Sequence, residues 1–206
     1  MSPLKIIIFD CDGVLFDSKE ANRFYYNHLL EKFGHPPMTP EELEYVHMHH
    51  AMDSTRHIFR DYPESLAAAE KYRESLNYMR FLKYMIMEPD LIDFLTQIRK
   101  KYKTAISTNR TTTMSSVMAM NGLTPYFDMV VTALDVKNPK PHPEALIAIL
   151  GKFNLTVDEA IYVGDSMVDR DHAASIGMRL IAFKNADLPA AFHVKSFMEI
   201  NDLPIF

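Results

Sequence analysis

The sequence predicts an α/β protein with a doubly wound parallel sheet and an all-helical segment inserted after its first strand. The run Ile6-Ile7-Ile8-Phe9 is apolar and rich in β-branched residues, as strands are when both faces are buried in the middle of a parallel sheet. From about residue 88 onward, short apolar strands alternate with amphipathic helices, which is typical of a sheet covered by helices. Between about Ser18 and Met87, helical patterns occur without a strand signal.

The helical segment is divided by capping residues and by glycine and proline. Its clearest helix start is Thr39-Pro40-Glu41-Glu42, a capping box with proline at the first helical position. Gly34 and the Pro36-Pro37 pair end the helix before it. Four helices are predicted here. The first spans residues 21–33 and follows the capping residues Asp17 and Glu20, and the second begins at residues 39–42. The third follows Asp53-Ser54, and the fourth is long, from Pro63-Glu64 to about Met87.

In the second half, helix starts and apolar spacing again delimit the elements. Leu91, Leu95 and Ile98 share one face of a helix that begins at Pro89-Asp90. Residues 156–159 form a further capping box. Strands are predicted at 103–107, 129–131, 160–163 and 179–183, the last as the final central strand, and helices at 111–120, 143–153 and 167–176.

Composition excludes several classes of protein. The chain has 206 residues, of which 48% are hydrophobic, so it fits one large domain or a core with a modest insertion. A net charge of −5 argues against a nucleic-acid surface, and no apolar run has membrane-spanning length. We expect no secretory signal, because the first strand begins almost at Met1. The single Cys11 rules out an internal disulfide and suits the cytoplasm, where we expect the protein to be located.

Polar residues follow four of the predicted strands. Asp10 and Asp12 should point the same way and Cys11 the opposite way, because side chains alternate along an extended chain. Two adjacent carboxylates repel each other, and a divalent metal would compensate them. The other strand ends carry Ser107-Thr108-Asn109-Arg110, then Lys140 between prolines in 138–143, then Gly164-Asp165-Ser166 with Asp169 one turn later. In a doubly wound sheet these ends meet at one rim, where ligands bind.

Each signal also has a simple structural explanation when taken alone. The first two aspartates could only mark a turn in which Gly13 supplies the unusual backbone angles. Thr108 could cap the next helix, and Lys140 could be a solvated loop cation. Asp165 and Asp169 could merely favour a helix N-terminus. The four signals together are harder to explain in this way, because the fold gathers them.

Taken in order, the Asp10-x-Asp12-Gly13-Val14 motif, the apolar strand before Ser107-Thr108-Asn109, the Lys140-Pro141 pair and the Gly164-Asp165-Ser166-x-x-Asp169 motif resemble the haloacid dehalogenase superfamily of aspartate-nucleophile phosphohydrolases. Residues 169–178 resemble its phosphoglycolate-phosphatase-like branch, as does a helical cap between the first two motifs. The resemblance implies a Rossmann-like catalytic core of residues 1–17 and 88–206 and a cap domain of residues 18–87.

The resemblance also implies the metal site. Asp10 would be the nucleophile that forms an aspartyl-phosphate, and Asp12 would protonate the leaving oxygen and later activate water. Mg²⁺ would be held by the Asp10 carboxylate, the backbone carbonyl of Asp12, Asp165 and a phosphate oxygen. Asp169 would ligate the metal directly or through water.

The remaining implied residues bind the phosphoryl group. Thr108 and the backbone amide of Asn109 would donate hydrogen bonds to it. The resemblance also implies that Gly13 is a phosphate-binding residue. Lys140 would stabilise both the nucleophile and the charge that develops during transfer.

The second aspartate also bears on the reaction. Dehalogenases of the superfamily lack an aspartate at the position of Asp12, since a halide leaving group needs no proton. An alkoxide leaving group does need one. The leading interpretation is a Mg²⁺-dependent phosphatase acting on a small phosphorylated metabolite, with no nucleic-acid or membrane partner. A β-phosphoglucomutase-like phosphotransferase and a non-catalytic module that binds a phosphorylated ligand stay open, as do the individual substrate and the oligomeric state.

Other chemistries fit the residues less well. A cysteine phosphatase needs C-x₅-R, but the sixth residue after Cys11 is Asp17. No GxGxxG or GxxxxGK loop occurs, which disfavours nucleotide binding.

Several cap residues invite weaker hypotheses. His47, His49, His50 and His57 could suggest zinc, but no HExxH pattern or cysteine partner accompanies them, so solvated or pocket-lining histidines are favoured. A further hypothesis is that His50, Arg56 or Arg80 contacts the anionic end of the substrate.

Overall fold

The computed structural model describes residues 3–48 and 51–206, and these residues form two compact units. The core unit comprises Met1–Phe16 and Met87–Phe206, and the helical unit comprises Asp17–Ile86. The strands are β1 (Ile6–Phe9), β2 (Phe16–Asp17), β3 (Ile86–Met87), β4 (Lys103–Ser107), β5 (Met129–Val131), β6 (Ala160–Gly164), β7 (Arg179–Phe183) and β8 (Phe192–Val194). The α-helices are α1 (Lys19–Lys32), α2 (Pro40–Met48), α3 (Ala51–Ile58), α4 (Pro63–Ser75), α5 (Leu91–Ile98), α6 (Met114–Met120), α7 (Glu144–Phe153) and α8 (Met167–Ala174).

A six-stranded parallel sheet forms the centre of the core unit. Its strand order is β5-β4-β1-β6-β7-β8, so β1 lies between two neighbours as its apolar sequence predicts. Ile8 pairs in register with Ala105 of β4 on one side and with Tyr162 of β6 on the other. The predicted doubly wound α/β sheet is therefore confirmed.

Alternation along β1 sends its side chains into two apolar layers. Ile6 and Ile8 pack in a cluster with residues of α7 such as Leu146. Phe9 contacts Phe94 of α5, with ring centroids 6.4 Å apart. Because both faces of β1 are covered, all four of its residues are buried.

The edge of the sheet differs from the prediction. β7 is followed by a further parallel strand, β8, which pairs Ala182 with His193. Three residues are too few for a period-2 pattern to stand out in sequence, and their pairing depends on the neighbouring strand. α6 begins at Met114 rather than at residue 111, since the β-branched Thr111-Thr112-Thr113 run has low helix propensity.

The helical unit contains α1 to α4, whose contacting aromatic and aliphatic side chains form its own core. The predicted capping box at the start of α2 is present: the Thr39 amide donates to Glu42 and the Glu42 amide donates to the Thr39 hydroxyl. The long helix predicted from residue 63 to Met87 is wrong. α4 ends at Ser75, because the Asn77 side chain accepts a hydrogen bond from the Met79 amide and opens a 3₁₀ helix at Tyr78–Tyr84.

The prediction of no strand between about residues 18 and 87 is wrong at the end of this segment, where β3 lies. β2 and β3 pair as a separate two-stranded sheet at the two points where the chain passes between units. Within residues 3–48 and 51–206, every helix is too short or too polar to cross a lipid bilayer.

Candidate active site

The predicted site residues of the core unit lie at the carboxyl ends of three adjacent strands. Asp10 follows β1, Thr108 follows β4 and Asp165 follows β6, and β1 is hydrogen-bonded to both of the other strands. Parallel neighbours end on the same side of a sheet, so these side chains share one rim. Lys140 reaches the rim from the segment between β5 and α7.

Lys140 joins two of the carboxylates. Its ammonium nitrogen lies 2.8 Å from an Asp10 oxygen and 2.7 Å from Asp169 Oδ1, and it donates to the Tyr162 hydroxyl at 3.1 Å. The Lys140 side chain is only 4% exposed. Burial acts to lower the Lys140 pKa, but the Asp10 and Asp169 carboxylates outweigh burial and raise it. Lys140 is therefore a buried, permanently charged cation, not a solvated one.

Asn109 holds the backbone of this lysine. Its side-chain oxygen accepts from the Lys140 amide at 3.0 Å, and its side-chain nitrogen donates to the Lys140 carbonyl at 3.1 Å. The pairing joins the loop after β4 to the loop before α7. Asn109 thus has a positioning contact in addition to the backbone role that the family resemblance implies.

Asp165 and Asp169 are brought together by the turn into α8. Asp169 Oδ2 accepts from the backbone amides of Asp165 and Ser166, both at 3.2 Å, and from the Ser166 hydroxyl at 2.7 Å. A side chain at Gly164 would collide with Asp169, since its Cβ would lie 2.4 Å from that residue's Cβ. Asn185 completes the arrangement by donating to the Asp165 carbonyl at 2.7 Å.

Gly13 is required for the close approach of Asp165. Its φ of +76° is one that residues with a side chain rarely adopt, and a Cβ there would lie 2.0 Å from Asp165 Oδ2. The same glycine that permits the turn therefore also makes room for a carboxylate of the site.

Asp10, Asp165 and Asp169 form a compact cluster of oxygen ligands. One carboxylate oxygen from each lies within 4.8 Å of the others. Burial raises the pKa of Asp10 to about 7, against the opposing Lys140 charge, and Asp169 adds to the rise. Burial also raises the Asp165 pKa well above its usual value, helped by the neighbouring Asp169 and Asp10 carboxylates.

This cluster fits a small divalent cation. Mg²⁺ takes oxygen ligands at about 2.1 Å, so two ligands on opposite sides of one ion are about 4.2 Å apart. Raised carboxyl pKa values mean that negative charge is under-compensated, and a cation between the oxygens would relieve it. Asp12 contributes no side-chain oxygen to this cluster.

The Asp12 side chain instead meets a residue to which the sequence-based prediction assigns no role. Arg110 Nη2 donates to Asp12 Oδ1 at 2.6 Å, across 98 positions of sequence. The only sequence signal was the place of Arg110 directly after Thr108-Asn109 at a strand end. Such a pairing depends on how two loops pack, which periodicity does not report.

Thr108 is buried, and it does not cap the next helix. Its hydroxyl accepts from the Arg110 amide at 3.2 Å, whereas α6 is preceded by Thr113. The capping explanation is therefore wrong, and Thr108 belongs to the loop that carries Asn109 and Arg110.

A buried polar layer supports the site from behind. The Tyr162 hydroxyl contacts Asp169 and the carbonyl of Ser107, each at 3.0 Å. The Ser107 hydroxyl in turn contacts His172 Nε2 at 3.0 Å. Burial lowers the His172 pKa to about 4, and the Lys140 charge acts in the same direction. His172 is therefore neutral near pH 7.

The remaining residues named by sequence have other surroundings. Cys11 is buried, and burial raises its thiol pKa, as expected of a packing residue rather than a nucleophile. His57 stacks on Tyr45 with ring centroids 3.7 Å apart. Arg56 forms ion pairs with Asp53 and Glu70 at 3.9 Å and 3.4 Å.

Arg80 lies over the Phe81 ring at 5.7 Å. His47 is partly buried, and His49 and His50 lie outside the described residues. No zinc-like grouping of three His, Cys, Asp or Glu side chains occurs among the described residues of the helical unit.

The model of the haloacid dehalogenase-like hydrolase family matches residues 7–183, a stretch that includes every motif of the rim. The chain belongs to this family. The resemblance drawn from the motifs is confirmed, and so is the prediction of a hydrolase. The match runs from within β1 to the end of β7, so it covers the central strands of the sheet.

Related proteins agree with this assignment. A haloacid dehalogenase superfamily hydrolase of subfamily IA from Geobacter sulfurreducens superposes with a TM-score of 0.85 at 36% identity, covering 97% of this chain and 95% of that one. A phosphoglycolate phosphatase from Rhodobacter capsulatus is 26% identical, over 96% of this chain and 94% of the relative. A pyrophosphatase PpaX from Bacillus pumilus is 26% identical, over 82% of this chain and 77% of the relative.

Proposed function

We propose that this hydrolase is a Mg²⁺-dependent phosphatase that cleaves a small phosphate monoester through an aspartyl-phosphate on Asp10. The observation that carries the proposal is the contact of one buried lysine with both Asp10 and Asp169, inside a cluster of three carboxylates. A phosphate dianion would be repelled by four aspartates alone. Each like-charge pair costs about 4 kcal/mol at 4 Å and an effective dielectric of 20.

The charges of the site offset this repulsion. Lys140 and Arg110 contribute two positive charges beside the four aspartates. Asp10, Asp165, Asp169 and the carbonyl of Asp12 would hold Mg²⁺, whose chemistry is to neutralise phosphoryl oxygens and to orient the phosphate. With the ion bound and Asp12 protonated as the acid, the three remaining carboxylates, the two cationic side chains and Mg²⁺ leave the site with a net charge of about +1, which favours binding of a dianion.

The first half-reaction transfers the phosphoryl group to the protein. An Asp10 carboxylate oxygen forms a bond to phosphorus while the ester oxygen–phosphorus bond breaks, and Asp12 donates a proton to the leaving oxygen. Lys140 holds the Asp10 carboxylate at 2.8 Å and stays protonated throughout. Thr108 and the amide of Asn109 would donate to the transferring group.

The second half-reaction regenerates the protein. Asp12, now a carboxylate, takes a proton from water, whose oxygen attacks phosphorus as the bond to Asp10 breaks. Inorganic phosphate leaves, and Asp12 is protonated again for the next turnover. We also propose that residues 18–87 act as the cap of the enzyme, which would favour small phosphate esters over phosphoproteins.

A phosphate-release assay tests the proposal. Phosphoglycolate, a sugar phosphate and pyrophosphate would be supplied with Mg²⁺, and kcat/KM would be compared across them. Asp10→Asn should abolish phosphate release. The control Asp128→Asn should retain it, because Asp128 lies elsewhere in the core unit, where it forms an ion pair with Lys103. Chelation should stop turnover reversibly. Release by the metal-free protein or by Asp10→Asn would contradict the mechanism.

The same assay separates the alternative reactions. A phosphotransferase would isomerise a sugar phosphate, primed by a bisphosphate, without net phosphate release. A non-catalytic module would bind a phosphorylated ligand and do neither.

A further inference from the structure

We propose that Arg110 is a positioning residue that orients the Asp12 carboxylate for proton transfer. The inference rests on the proposed function of Asp12 as the acid and base. It adds a residue that does not touch the phosphoryl group but decides whether the acid can reach the leaving oxygen.

The contact joins a fixed group to a movable one. Arg110 Nη2 lies 2.6 Å from Asp12 Oδ1, and the Arg110 side chain is 8% exposed while that of Asp12 is 36% exposed. A charge-assisted hydrogen bond of this length is short and strong. The buried partner of such a pair has little freedom, so the orientation of the half-buried Asp12 carboxylate follows the guanidinium.

Arg110 is held at both its backbone and its side chain. Its amide donates to the Thr108 hydroxyl at 3.2 Å, and its carbonyl accepts from the Ala133 amide at 3.0 Å. Its Nη1 donates to the Thr113 hydroxyl at 3.2 Å. Because the guanidinium is planar, contacts at both Nη1 and Nη2 restrict the plane as well as the position.

Asp12 has a fixed backbone and a rotatable side chain. Its backbone forms a bridge with Phe16, and the next residue, Gly13, donates its amide to the Phe16 carbonyl at 2.8 Å. The Arg110 contact acts on the side-chain torsions, which the backbone contacts do not set. The arrangement therefore aims a carboxylate that the backbone alone would leave in several rotamers.

A role in proton transfer has a kinetic signature that other roles lack. Leaving groups of high pKa, such as an alkoxide, need a proton as the ester bond breaks, whereas 4-nitrophenolate leaves without one. General acid catalysis contributes about 10²–10⁴-fold, and misplacing a reacting group by about 1 Å can cost about 10²-fold. Loss of orientation should therefore slow alkyl phosphates selectively.

The test is a leaving-group series measured with Mg²⁺. We would determine kcat/KM for alkyl, phenyl and 4-nitrophenyl phosphates with the wild type, Arg110→Met and Arg110→Lys. Arg110→Met should lower kcat/KM by about 100-fold for the alkyl ester but less than about 3-fold for the 4-nitrophenyl ester. Arg110→Lys should fall between, since it keeps the charge without the planar fork.

Two comparisons protect the result from loss of folding. The ratio of the two rates is measured on one sample, so a smaller folded fraction cancels. Arg99→Met removes an arginine of the same unit that lies over Tyr126 at 5.9 Å and is outside the site, and it should leave the ratio unchanged.

Each other outcome overturns the inference. Equal losses for all leaving groups would show that Arg110 acts only on folding or binding. If the loss of kcat/KM depends on whether the substrate carries a second anionic group, and not on the pKa of its leaving group, Arg110 is a substrate-binding residue.

Asp12→Asn, run in the same series, separates this inference from the proposed function. If Asp12→Asn is leaving-group dependent and Arg110→Met is not, the inference alone fails. If neither variant is, the role of Asp12 as the acid fails as well.

Discussion

Removal of the Lys140 charge should destabilise the protein strongly at alkaline pH and less at acidic pH. Lys140→Met keeps a similar length but leaves Asp10 and Asp169 without the ammonium that lies 2.8 Å and 2.7 Å from them. At an effective dielectric of 20, each of these attractions is about 6 kcal/mol before the cost of burial is subtracted. Breaking a buried ion pair typically costs about 3–5 kcal/mol net, which is the loss we expect at pH 8.

The pH dependence follows from the carboxyl groups that lose their partner. Lys140 holds the Asp169 pKa below its usual value, against the effect of burial, so Asp169 is ionised at pH 5 in the wild type. Without the lysine, burial raises that pKa and the folded variant binds protons that the unfolded chain does not bind. Its stability therefore rises, relative to the wild type, as pH falls. The loss at pH 5 should be smaller by at least about 1.4 kcal/mol, the value of one pKa unit.

Urea unfolding followed by circular dichroism, with a chelator present, measures both quantities. The matched control is Lys103→Met, because Lys103 pairs with Asp128 at 2.9 Å but is 54% exposed. Exposed pairs contribute about 0–1 kcal/mol, so this variant should change little. Equal losses in the two variants, or a Lys140→Met loss that is the same at both pH values, would refute the reasoning.

Three further predictions follow from single residues. Gly13→Ala should weaken Mg²⁺ binding in a titration, because the added Cβ would overlap Asp165. In the control Gly122→Ala, with φ +65° and open space around the glycine, Mg²⁺ affinity should stay unchanged and only the folding stability should fall, by about 1–2 kcal/mol. Equal Mg²⁺ affinity in the two variants would contradict the prediction. The pKa of His172 is about 4 in the folded protein, below the unfolded value of 6.5, so protonation favours the unfolded chain as pH falls. Between pH 6.5 and pH 4 the free energy of unfolding of the wild type should therefore fall by about 3 kcal/mol more than that of His172→Asn. The same pH dependence of unfolding in both proteins would contradict the prediction. Asn109→Ala removes both side-chain hydrogen bonds to the Lys140 backbone, so steady-state kinetics should show a kcat at least about 10-fold lower; an unchanged kcat would contradict it.

Sequence alone determined the sheet and the placement of the motifs on it. The apolar run before Asp10 is a local property, and so are the strand at 103–107 and the capping box that starts α2. Parallel strands present their carboxyl ends together, so the order of motifs along the chain was enough to predict a rim that carries Asp10, Thr108 and Asp165. Periodicity failed where an element was short or depended on a neighbour, as with β8 and the interruption at Asn77.

Tertiary structure decided which side chains at that rim touch one another. The Arg110–Asp12 pair, the double hydrogen bond from Asn109 to the Lys140 backbone and the bond from Asn185 to the Asp165 carbonyl each join loops that are distant in sequence. Such contacts depend on loop paths and on side-chain rotamers, neither of which leaves a repeating pattern in the chain. The sequence therefore determined where the charges gather, and only the packing of the loops decided which charge compensates which.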